Sequence, residues 1–94
     1  MEKNDSRVTF SIGDTANMTG VTPKQIRNWE EKGYIPEAER VVSGVRAYRR
    51  FSMDEVETMR LIKEYIDAGF TLKAAVQKAN DENLSKMEVV NNAK

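Results

Sequence analysis

Apolar side chains recur at helical spacing in four stretches of this chain, and a valine-rich stretch without that spacing lies between the second and third. In the first, Ser11 is placed to cap a short helix whose apolar stripe is Ile12, Ala16 and Met18, and Gly20 stops it. In the second, "VTPKQI", Thr22 takes the N-cap. Pro23 takes the first helical position, where its missing N–H costs nothing, and Gln25 completes a capping box. Ile26 and Trp29 share one side of this helix, and Gly33 closes it. Pro36 bars helical continuation. Residues 40 to 51 then set Val41, Val42, Val45, Tyr48 and Phe51 around a Ser43-Gly44 turn, which predicts a small two-stranded hairpin. Ser52 and Glu55 form a second capping box. It opens the clearest amphipathic helix, with Val56, Met59, Ile62 and Ile66 on one face, Leu61 and Tyr65 beside it, and Gly69 at its end. A fourth helix from Thr71 is expected to bury Leu72, Ala75, Val76 and Ala79 against the third. The pattern therefore predicts one unit over residues 10–80. Residues 1–9 are expected to be a loose segment, and residues 81–94 a polar tail or the start of a longer helix.

Composition narrows what such a unit does. A chain of 94 residues folds as one domain and buries only about 60 to 65% of its unfolded surface, which leaves little room for a deep catalytic cavity. The balance of 39% hydrophobic and 32% charged residues is that of a globular protein. No apolar run approaches the roughly 20 residues of a spanning helix, and no apolar segment follows the N-terminal charges as in a secretory signal. The expected location is thus the cytoplasm. With no cysteine and no histidine, disulfides, zinc fingers, thiolate catalysis and the usual general base are excluded. No catalytic residue, cofactor or metal is expected. The paired acids have simpler accounts: Glu55 caps a helix, Asp54 favours a helix N-terminus, and adjacent Glu30 and Glu31 point in different directions.

Net charge is zero, from 15 basic and 15 acidic side chains, yet the charge is unevenly spread. Residues 40 to 50 carry Arg40, Arg46, Arg49 and Arg50 with no acid, whereas residues 51 to 94 have eight acids and six Lys or Arg. One positive face is expected, and a positive face is a footprint for phosphate. A short helix, a tight turn at Gly20 and Val21 and a well-capped second helix make a helix-turn-helix pattern, whose second helix enters the DNA major groove.

The residues that carry this pattern also carry a resemblance. "IGDTANMTGVTPKQIRNWEEKGYIP", an arginine-rich hairpin with a glycine turn, and "FSMDEVETMRLIKEYIDAGFTLKAAVQKA" resemble, in that order, the winged-helix DNA-binding domain of MerR-type transcription regulators. The resemblance runs from about Ser11 to Ala79. It implies a mainly α, winged helix-turn-helix fold, with four helices plus a small two-stranded wing, and a bacterial regulator. Lys24, Arg27 and Asn28 fall where family members contact bases or phosphates. The chain departs from the family in two places. Asn28 stands where the first of two aromatics is common, so that Trp29 alone is kept, and the wing is about two residues longer than usual. Counting back from Val56, Arg49 takes the place of the family's wing arginine, but "SGVRAY" offers Arg46 as an alternative.

Each candidate has a plainer reading beside the functional one. Arg27 on an exposed helix is usually a solvated charge, but in the middle of a second helix of this motif it is expected to contact a base or phosphate. Lys24 in the first turn suits phosphate, while Gln25 is first the capping partner of Thr22 and only second a base reader. Trp29 is expected as a core plug whose indole N–H also reaches phosphate. Arg40, Arg46, Arg49 and Arg50 with Tyr48 are expected to clamp the DNA backbone or enter the minor groove, and Phe51 to be core. The DNA-binding set is therefore Thr22, Lys24, Gln25, Arg27, Asn28, Trp29, Arg40, Arg46, Tyr48, Arg49 and Arg50.

The expected partners are double-stranded DNA at an inverted repeat, a second copy in a homodimer, and RNA polymerase at the promoter, with no membrane. MerR-type regulators dimerise through a long C-terminal coiled coil followed by an effector domain. That part lies outside these 94 residues, so the expectation is either a truncated chain or a dimer formed through residues 1 to 10 or the tail, without metal sensing. Two other readings stand beside this one: an architectural or excisionase-like DNA-bending protein, and a protein-interaction adaptor.

Overall fold

A computed structural model describes residues 8 to 92. Strand β1 (Thr9–Phe10) leads into helices α1 (Ile12–Thr19) and α2 (Pro23–Glu31). Strands β2 (Glu39–Ser43) and β3 (Arg46–Ser52) follow, then helices α3 (Met53–Asp67) and α4 (Leu72–Asn92). The architecture is mainly helical, with four helices and a three-stranded antiparallel sheet in the order β1-β3-β2. The third strand is a difference from the expected two-stranded wing. Thr9 pairs with Ser52 and Phe10 with Phe51, so sheet pairing starts at Thr9, inside the segment expected to be loose. The remainder of that expectation, residues 1–7, lies outside the described residues.

The helix boundaries follow local chemistry. Ser11 caps α1 by accepting from the Asp14 N–H at 3.0 Å, and Gly20 ends it with φ 82°, a left-handed conformation that glycine adopts without penalty. Both expected capping boxes form, Thr22 with Gln25 on α2 and Ser52 with Glu55 on α3. α4 continues without a break from Leu72 to Asn92, past the point where the apolar pattern fades.

The core sits where α1, α2 and α3 converge on β3. Phe51, Ile26, Met59 and Ile62 are essentially inaccessible, and Ala75 and Ala79 of α4 close one side. Their small side chains let α4 lie close against α3. Two further links tie the pair, Tyr65 Oη donating to Glu82 at 2.7 Å and Asn83 Nδ2 donating to Thr58 Oγ1 at 3.1 Å.

The apolar stripe of α1 differs from the expected one. Met18 is exposed, because it lies two residues and thus about 200° of helical turn from Ala16, on the opposite side. Thr15 and Thr19 occupy the buried positions instead. Burial is tolerated because each hydroxyl donates to the carbonyl four residues earlier at 2.8 Å, Thr15 to Ser11 and Thr19 to Thr15. Thr19 Oγ1 also accepts from the Val21 N–H at 3.1 Å, which fixes the turn into α2.

Candidate nucleic-acid interface

Helix α2 is pinned on one side and bare on the other. Ile26 and Trp29 are 0% and 2% exposed, while Thr22, Lys24, Gln25, Arg27 and Asn28 all face solvent. Lys24, Gln25, Arg27, Asn28 and Glu31 of α2, with Arg49 of β3, line an open concavity of about 510 Å³. The fold thus gathers five of the sequence-predicted site residues around one surface. Gln25 is partly engaged: its Oε1 accepts from the Thr22 N–H at 3.1 Å and hydroxyl at 3.3 Å, so its amide NH₂ is the end left to meet a ligand.

Strand alternation divides the wing arginines. β2 and β3 pair in register from Glu39 with Arg50 to Ser43 with Arg46, around a two-residue turn. That turn is Gly44-Val45, one residue later than the expected Ser43-Gly44, and the positive φ of 66° falls on Gly44 at its first position, where a type II′ hairpin requires it. Successive side chains point to opposite faces, so Arg49 and its cross-strand partner Arg40 lie on one face of the ribbon, and Arg46, Tyr48 and Arg50 on the other. The expected single arginine patch is therefore split. Arg50 is turned back to the first strand, donating through Nε to Thr9 Oγ1 and through Nη2 to Thr9 O, both at 3.0 Å. Tyr48 is exposed beside Val41, and Arg46 stands next to the turn with no ion-pair partner among the described residues.

Arg40 and Arg49 converge on Glu30, whose side chain is only 5% exposed. Its Oε1 accepts from Arg49 Nε at 2.8 Å, and its Oε2 accepts from Arg40 Nη1 at 3.0 Å and the Ala38 N–H at 2.6 Å. Burial alone would raise the pKa of this carboxyl, but the two guanidinium groups and the backbone N–H outweigh it and hold the value at about 2. Helix α2 and the wing are thereby joined through one carboxylate. Reading the residues alone accounted for Glu30 only as half of an adjacent acidic pair. The available signal was the run of arginines in residues 40 to 50 with no acid among them, two of which find theirs on α2.

A profile of the MerR HTH family regulatory protein matches residues 10–82. The chain belongs to the MerR HTH family. Among curated relatives it is 41% identical to the mercuric resistance operon regulatory protein of Bacillus cereus over 63 residues, covering 67% of this chain and 46% of that protein. It is also 33% identical over 71 residues to the HTH-type transcriptional regulator CueR of Escherichia coli O6:H1, covering 76% and 50% of the two chains. The chain thus spans about half the length of these relatives. Its fold matches the crystal structure of HiNmlR, a MerR family regulator lacking the sensor domain and bound to promoter DNA. The TM-score is 0.64 at 19% identity, over 90% of this chain and 67% of that one.

Within this MerR-family domain Trp29 fills the core, as the structural half of its expected role requires. Only 2% of Trp29 is exposed, and its indole N–H has no acceptor among the described residues. No helix among the described residues is long and apolar enough to cross a membrane, and no cluster of metal-ligating side chains occurs among them.

Proposed function

We propose that this MerR-family chain is a sequence-specific binder of double-stranded DNA that regulates transcription, with α2 in the major groove and the wing on the flanking backbone. The observation that carries the reading is the meeting of Lys24, Arg27 and Asn28 with Arg49 around one concavity beside a rigidly held helix. Arg27 projects from the middle of α2, where a bidentate contact to guanine is in reach of the motif's docking geometry, and Lys24 in the first turn meets phosphate. Between Arg46 and Arg49, it is Arg49 that lines the concavity with α2, which supports it for the family's wing role. The Trp29 indole N–H, which has no acceptor among the described residues, is a further donor for phosphate. That HiNmlR is bound to promoter DNA supports the same reading. The acting form is a homodimer on an inverted repeat in the nucleoid, with RNA polymerase as a further partner at the promoter and no catalytic step of its own.

Selection of bound duplexes from a random pool tests this. A symmetric enriched motif is expected, and absence of any motif would favour the architectural reading instead. On the selected site Arg27→Ala should lower affinity at least about fivefold more than on mixed-sequence DNA, since a good base contact carries about 1 to 3 kcal/mol of discrimination. Lys24→Ala should weaken both duplexes alike and lower the salt slope by about 1.

A further inference from the structure

We propose that Glu30 is a positioning residue for DNA recognition, and that it sets the wing's Arg49 against the recognition helix before any duplex arrives. The inference deepens the DNA-binding reading above and rests on it. Its basis is the division of labour within the Arg49 side chain. Arg49 gives only its Nε to Glu30, at 2.8 Å, and its two terminal nitrogens have no acceptor among the described residues. A guanidinium is a rigid planar fork, so fixing the Nε edge also fixes the direction in which the terminal edge points. That side chain lines the concavity with Lys24, Arg27 and Asn28, so the held edge faces the protein and the open edge serves the groove.

Arg40 plays a different part on the same carboxylate. Its Nη1 donates both to Glu30 Oε2 at 3.0 Å and to the Ala38 carbonyl at 2.9 Å, while the Ala38 N–H donates to the same Oε2 at 2.6 Å. These bonds close the loop between α2 and β2 around the carboxylate. Arg40 is therefore a strut that holds Glu30, and Arg49 is the group that Glu30 aims. Glu30 itself follows Trp29, which is locked in the core, and sits three residues after Arg27, so it neighbours Arg27 on the helix surface. The spacing between Arg27 and Arg49 is thus set by a helix that cannot slide and a carboxylate that is saturated with donors.

Charge and positioning predict opposite signs, which makes the inference testable. A carboxylate near phosphate repels it, so if Glu30 contributed charge alone, Glu30→Gln would tighten binding to every duplex. If Glu30 positions Arg49, Glu30→Gln should weaken the selected site about tenfold. Mixed-sequence DNA should be bound as well as before or better, so the specificity ratio falls by ten or more. Arg49→Lys, which keeps the charge but loses the Nε donor, should lower the same ratio. The double variant should fall no further than the single variants, because both break one device.

The assay is fluorescence-anisotropy titration of labelled selected and mixed duplexes at several salt concentrations, with far-UV circular dichroism to establish that each variant is folded. An unchanged specificity ratio in folded Glu30→Gln, or additive losses in the double variant, would overturn the inference while leaving the DNA-binding reading intact. A wild-type chain that shows no preference for any selected duplex would sink both. If Glu30→Gln does not fold, the surface variant Arg49→Lys decides: an unchanged ratio there refutes the inference.

Discussion

The buried carboxylate between helix α2 and the wing makes acid stability a direct readout of the structure. Glu30 moves from an ordinary value of 4.5 in the unfolded chain to about 2 in the folded one: burial pulls upward and is overcome by the bonds from Arg40, Arg49 and Ala38. A carboxyl whose folded pKa is depressed contributes stability that is fully present above its unfolded value and is lost as pH falls toward its folded value. The window is therefore pH 4.5 down to about 2. Each pKa unit corresponds to about 1.36 kcal/mol, which sets a ceiling of about 3 kcal/mol. The side chains of Arg40 and Arg49 are 35% and 25% exposed, and solvent screening at their outer edges brings the expected figure to about 2 kcal/mol. Urea unfolding followed by circular dichroism at pH 6, 5, 4 and 3 would measure it in the wild type and in Glu30→Gln. Every other carboxyl titrates in both proteins, so their difference isolates Glu30. That difference should be constant above about pH 5 and should shrink by most of about 2 kcal/mol between there and pH 3. A gap between wild type and variant that does not change with pH would refute the reasoning, because it would mean that Glu30 contributes shape and not charge.

Two further outcomes concern the scaffold. Trp29→Ala should destabilise the domain by roughly 3 to 5 kcal/mol, the range for truncating a large core aromatic, and unchanged stability in urea unfolding would contradict its place in the core. Gly20→Ala should cost about 1 to 2 kcal/mol, lowering Tm by several degrees, because φ is 82° there. The nearest atom to an added Cβ is Lys63 Cε at 3.6 Å, an ordinary contact, so the cost comes from the backbone, and a Tm equal to wild type would show that the turn relaxes instead.

The parts of this fold that were legible in the sequence are those whose causes are local. Both capping boxes close over three residues, Gly20 and Gly33 carry positive φ beside the ends of α1 and α2, and the spacing of Ile26 and Trp29 points them to one side of a single helix. What was not legible depends on partners distant in sequence or on polar groups that satisfy themselves. Thr15 and Thr19 read as surface residues, yet each returns its hydroxyl to its own helix and can be buried. Val41, Val42 and Val45 read as apolar and are exposed, because an arm one layer thick offers them nothing to pack against. Strand β1 is two residues long and pairs some forty residues away, too short to leave a periodic signal. Of the candidate site, the α2 residues could be chosen from the motif alone. The division of the arginines could not, since strand register decides it, and Glu30 is bonded to residues eight, ten and nineteen positions further on.

That division also bears on how a chain of zero net charge can serve a polyanion. A sum over the chain weights every charge equally, whereas a duplex meets only the charges left exposed on one side. On α3 the bases are matched locally: Arg60 pairs with Glu57 and Glu64, and Lys63 pairs with Asp67, each within one helical turn. Lys24 and Arg27, by contrast, have no ion-pair partner among the described residues, and Arg49 is bonded on one edge only. Glu31 is the acid that shares their concavity, and Glu30 beside it turns its carboxylate into the wing. Of the acids that neutralise the total, Glu57, Glu64 and Asp67 are paired along α3, and Glu30, placed between helix and wing, is turned from a repulsive charge into a fastening. Among these free bases Arg49 is the one whose direction is fixed, by its bond to Glu30. On the proposed DNA-binding reading, selectivity rests on where Arg27 and Arg49 point relative to each other more than on how much positive charge the chain carries.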